Sequence, residues 1–106
     1  MIVFYLTGLL LIILAIPMIR RKVPPNRWYG FRVSRALNDP AVWYPANAYA
    51  GKLLFIFGLV VLGATFLIPR IFSELSQDSL AILMSVLLLG GILIVFLLSM
   101  RFLRSI

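Results

Sequence analysis

The chain is predicted to be all-α: an integral membrane three-helix bundle with an ordered cytoplasmic cap between helices 1 and 2. Three observations predict it. Three runs are almost pure hydrocarbon, from Met1 to Ile19, Leu53 to Ile68 and Leu80 to Met100. Each run, with a few flanking residues, reaches the roughly 17 to 25 residues that a helix needs to cross a hydrocarbon core of about 30 Å. Hydrophobic residues make up 63% of the sequence and mean hydropathy is +1.10, well above the roughly 45 to 50% apolar usage of soluble domains. Finally, the charge and turn chemistry is concentrated in the segment between the first two runs, Arg20 to Lys52.

The first run contains Gly8 and Ala15, seven residues apart and so on one helical face, with Thr7 beside them. Pro17 kinks this helix or lets it stop before the basic triplet Arg20, Arg21 and Lys22. A cleaved signal peptide carries its positive charge ahead of the apolar stretch. Here the triplet follows it, so the run is expected to remain as a span.

The connection comes next. Val23-Pro24-Pro25-Asn26 is an extended element and turn, because proline pushes the preceding residue out of the α region. Gly30 permits a sharp change of direction. Asn38-Asp39-Pro40 reads as a helix start, with Asn38 or Asp39 as cap and Pro40 at the first helical position. From there Trp43, Asn47 and Gly51 share a face at intervals of four and run toward the second span, with Pro45 as an expected interruption.

In the second span Gly51, Gly58 and Thr65 are successive heptad partners. Small residues let helix backbones approach closely where lipid is as apolar as leucine. This stripe is expected to be the helix-packing face, turned to protein and used for self-association. The third span starts at a Ser76 or Asp78 cap and carries Gly90-Gly91 in its middle, where a helix can bend or take a close neighbour. The whole reads as a single membrane domain over residues 1–106, with spans at about 1–19, 53–69 and 79–100 and a cytoplasmic connection over 20–52.

Charge orients it. The formal net charge is +7, and nine of the ten basic residues lie either in the first connection or after the third span, leaving Arg70 alone in the second connection. Three spans place the first connection and the C-terminal end on one side, and the positive-inside rule makes that side cytoplasmic. The N-terminus is then outside. Anionic lipid head groups are the expected partners of this basic collar, and nucleic acid is not, because the basic residues are committed to a membrane face. Trp28, Tyr29, Trp43, Tyr44 and Tyr49 cluster in the connection, as in an aromatic belt at the interface. Alternatively, they build a folded cap whose rings and guanidinium groups form a recognition surface.

The chemical inventory argues against an enzyme. The chain has no histidine and no cysteine, and its three acids form no pair at acid/base spacing. No catalytic residues, no metal ligands and no cofactor are expected. No acid, base or histidine lies within the middle of a span, which disfavours an ion-coupled transporter. A small oligomeric channel or transporter subunit is the second functional reading, with Thr7, Thr65, Ser85 and Ser99 as the modest polar groups to line a path.

Pro24-Pro25-Asn26-Arg27-Trp28-Tyr29-Gly30-Phe31-Arg32, then Leu37, Trp43, Asn47 and Gly51-Lys52, resembles the signature of the SdpI family of small bacterial membrane proteins. The likeness is detailed over roughly residues 23–58. Ser34, Ala36, Pro45 and Ala48 depart from the residues usual there. The resemblance implies a non-catalytic inner-membrane protein of the immunity or signal-transduction kind. The founding member of the family protects its producer from a secreted toxic peptide and holds a transcriptional repressor at the membrane. On that resemblance the functional core is Asn26, Arg27, Gly30, Arg32, Trp43, Asn47 and Gly51. With Tyr29 in the aromatic cap, this set is the expected binding site for a toxic peptide or a cytosolic regulatory protein.

Overall fold

A computed structural model describes residues 1–26 and 29–106. These form four helices: α1 (Ile2–Ile19), the single-turn α2 (Ser34–Leu37), α3 (Pro40–Ile71) and α4 (Gln77–Ser105). α1, α3 and α4 are each long and apolar enough to cross a membrane. Their outward faces are hydrocarbon: Ile2, Leu6 and Ile13 on α1 and Ile82, Val86 and Leu89 on α4 are all exposed. In water that surface would cost about 25 cal/mol for each Å², which lipid removes.

α3 is the axis of the molecule. Its 32 residues rise about 48 Å, so roughly 18 Å extends beyond a hydrocarbon core of about 30 Å. The extension is the amino-terminal segment from Pro40 to about Gly51, and the cap is built around it. Asp39 accepts the Ala41 N–H at 2.9 Å, with Pro40 at the first helical position. Pro45 deprives the Ala41 carbonyl of its i+4 donor without ending the helix. The second span is therefore the distal part of one long rod, where the sequence suggested a break.

α1 and α4 both pack on α3 and scarcely touch each other. α1 ends in a Schellman motif: Lys22 N–H donates to Pro17 O at 3.0 Å and Arg21 N–H to Met18 O at 3.1 Å. Arg21 takes the left-handed conformation (φ 58°) that the motif demands. This turn aims the chain back across the end of the bundle. α4 starts at Ser76, whose hydroxyl accepts Ser79 N–H at 3.1 Å, and runs unbroken through Gly90-Gly91. A methyl group on Gly91 would fall inside the Phe57 ring, so Gly91 admits its neighbour and does not bend the helix.

The helix-packing stripe faces α1. A Cβ on Gly51 would lie 2.8 Å from Met18 Cβ and 3.1 Å from Ala15 O, and one on Gly58 would lie 3.0 Å from Gly8 O. Thr65, two turns further, is buried and folds its hydroxyl onto Val61 O at 2.7 Å. The face expected to serve self-association through Gly51, Gly58 and Thr65 meets α1 at its two glycines. The first helix of the same chain fills the face at both.

Candidate functional site

The cap is assembled by three local devices and one distant one. The first is a set of hydrogen bonds around Asn26. Asn26 donates through Nδ2 to Pro24 O at 2.7 Å, its Oδ1 accepts Tyr29 N–H at 2.7 Å, and its own carbonyl accepts Arg32 Nε at 2.9 Å. Asn26, Tyr29 and Arg32 are thereby held together. Arg27, expected in the same set, and Trp28, expected among the aromatic residues, lie outside the described residues.

The second device fastens Val23 and Phe31 to α3. Trp43 is fully buried, and its indole Nε1 donates to Val23 O at 2.7 Å. Asn47, one turn on and 2% exposed, pairs with the backbone of Phe31 in both directions: its Oδ1 accepts Phe31 N–H at 2.6 Å and its Nδ2 donates to Phe31 O at 3.3 Å and to Trp43 O at 3.0 Å. The Asn47 amide serves the cap, because the extended segment after Gly30 offers unpaired peptide groups that no helix would. Gly30 makes the approach possible. Its φ of +112° is closed to most side chains, and a Cβ there would stand 2.7 Å from Asn47 Oδ1 and 3.3 Å from the Trp43 ring.

The third device is Tyr29, whose hydroxyl donates to Leu14 O on α1. Burial raises the Tyr29 phenol above its ordinary pKa, so it stays a neutral donor at physiological pH. The distant device is Arg35 on α2. It donates through Nη1 to Leu103 O at 2.6 Å and through Nη2 to the backbone oxygen of Ile106. A cation on the last carbonyls of α4 satisfies acceptors that the helix leaves open and meets the negative end of its dipole. Tyr49 stacks on Phe102 beside it, with ring centroids 4.3 Å apart. The cap thus joins all three long helices.

Of the expected site residues, the structure brings together Asn26, Tyr29, Gly30, Arg32, Trp43 and Asn47, while Gly51 lies below them against α1. Trp43 and Asn47 are interior, so they hold the cap and present nothing to a partner. Trp43 is accordingly not part of an interfacial belt. The outward groups are cations: Arg32, Arg20, Arg21 and Lys22 are exposed, and the one acid at this end, Asp39, is occupied in capping α3. Sequence reasoning missed Arg35. A lone arginine in a basic stretch carries no local signal of a contact made nearly seventy residues away.

Of the hydroxyls considered for a channel, Thr65 and Ser99 are buried and Ser85 is exposed. Thr7, Thr65 and Ser85 each turn onto a carbonyl one helical turn back, at 2.7, 2.7 and 2.8 Å, while Ser99 lies under the cap.

The family model described as the SdpI/YfhL protein family matches residues 22–99, which include Asn26, Tyr29, Trp43 and Asn47. A relative, the uncharacterized protein YfhL of Bacillus subtilis (strain 168), is 32% identical over 79 residues, covering 74% of this chain and 64% of its own length. The match therefore spans a little under two thirds of that relative. No solved structure matches.

Proposed function

The chain belongs to the SdpI/YfhL protein family and is a membrane protein of that type, and from that premise we propose a non-catalytic recognition protein of the bacterial inner membrane. Its ligand is a toxic peptide or a cytosolic regulatory protein, bound at the outward face of the cap, and its role is of the immunity or signalling kind. One observation carries the reading: the motif residues are spent on internal hydrogen bonds that make a rigid platform, and the groups left on its rim are cationic. Such a platform suits a partner with acidic groups, since Arg32 is already held by the Asn26 carbonyl and loses little entropy on binding.

The positive-inside rule puts the cap in the cytoplasm and the α3–α4 turn, with Glu74, outside. The chain has no native cysteine, so single cysteines can be introduced at Arg32 and at Glu74. A membrane-impermeant maleimide is expected to label only the Glu74 position in intact cells and to reach the Arg32 position after permeabilisation. The reverse pattern would invert the orientation and place the platform outside.

The role itself is tested by removing the gene and challenging cells with secreted antimicrobial peptides. Loss is expected to sensitise them, and a plasmid copy to restore resistance, whereas a copy carrying Arg32→Ala, expressed to the same level, restores at most part of it. Unchanged sensitivity on deletion, together with failure of the tagged protein to retain any cytosolic partner in native membranes, would reject the reading.

A further inference from the structure

Because α1 and α4 diverge from their common partner α3, a cleft opens between them directly beneath the cap. It has a volume of about 240 Å³ and is walled by Leu14 and Met18 of α1, Leu54 of α3, and Val95 and Phe96 of α4, with Tyr29 to Phe31 as its roof. Ser99 also lines it. That residue is 1% exposed, and its hydroxyl has no hydrogen-bond partner among the described residues, unlike Thr7, Thr65 and Ser85, which bond their own helices. A hydroxyl left unpaired in an apolar site is unfavourable, so this one lacks an acceptor that an occupant of the cleft would bring.

Size and charge select the occupant. A helix with its side chains is about 10 to 12 Å across and does not fit a space of this volume, whereas a single hydrocarbon chain does. Arg20, Arg21 and Lys22 follow Met18 of the cleft wall by two to four residues, at the end of α1 on the cap's side. All three are exposed and none forms a side-chain hydrogen bond or ion pair among the described residues. A second cleft, between Leu53, Phe57, Val86 and Gly90, is lined by hydrocarbon alone and offers no hydroxyl to a ligand. The geometry points to a site for one anionic glycerophospholipid from the leaflet on the cap's side. One acyl chain lies between α1 and α4, an ester carbonyl accepts from Ser99 Oγ, and the phosphate rests among Arg20, Arg21 and Lys22. This assignment does not depend on the identity of any partner of the cap.

Native mass spectrometry of the full chain, delipidated in mild detergent and titrated with lipid, tests it. Phosphatidylglycerol is expected to bind at one copy per chain, at least about tenfold more tightly than phosphatidylcholine with the same acyl chains, while glycerol phosphate without chains does not bind. Ser99→Ala removes one hydrogen bond and is expected to weaken phosphatidylglycerol about five- to tenfold. Val95→Trp fills the cleft and is expected to abolish binding. If Val95→Trp does not fold, Ser99→Ala decides, since it deletes one atom without adding bulk. Equal binding of the two lipids, binding of glycerol phosphate as tight as that of the lipid, or wild-type affinity in Ser99→Ala would each overturn the site.

Discussion

Asn47→Leu is expected to release the cap while leaving the three long helices in place. Leucine has nearly the same shape, so the core beside Trp43 stays filled and the change is chemical. The Phe31 N–H and C=O, both bonded to the Asn47 amide, would be left in a buried site with no partner. Each such group costs about 1 to 3 kcal/mol, so the closed cap should lose about 3 kcal/mol, equivalent to a roughly hundredfold rise in its open population. Cleavage by trypsin after Arg32 and Arg35 reads that population directly when opening is fast, and it should accelerate by a similar factor while the tryptic pattern of the spans is unchanged. A cleavage rate equal to that of the parent chain would mean that Asn47 does not hold the cap.

The contrast between Asn47 and the spans shows which information a linear sequence carries. Hydrocarbon runs announce the spans because length and hydropathy are local properties, and the Asp39-Pro40 start of α3 was legible because capping is a contact between near neighbours. The motif residues from Asn26 to Asn47 could be picked out as a set through their resemblance to a family, but their division of labour could not. Trp43 illustrates why: an indole near a membrane surface serves equally well in a belt or a core, and only its bond to Val23 O decides. Arg35 was invisible for the opposite reason, since its partners are backbone oxygens at the far end of the chain that any sequence would supply. Ser99 reads like the other span hydroxyls until the missing hydrogen bond is seen. The small-residue face was legible as a packing surface, but its occupant was not, because α1 and a second copy of the chain offer the same chemistry.

Gly58→Leu is expected to produce the larger loss, separating α1 from α3. In this interface the two backbones meet: a Cβ at position 58 would stand 2.7 Å from Ile12 Cγ1, 3.0 Å from Gly8 O and 3.3 Å from Ile12 N. Ile12 could swing away, but the carbonyl and amide belong to α1 itself, so three further carbon atoms require the helix to move. Once it moves, the dispersion contacts of Met18 and Ala15 near Gly51 weaken as well. In lipid no hydrophobic force restores them, since lipid tails compete on equal terms. A loss of about 3 kcal/mol or more follows from overpacking and lost contact together. Gly63, five residues on, supplies the control within the same helix. A Cβ there meets nothing within 4 Å, so Gly63→Leu should leave stability within about 1 kcal/mol of the parent, with any change favouring the helix. Thermal unfolding of both variants in one detergent compares them, and equal melting behaviour would show that α1 and α3 do not depend on close approach at Gly58.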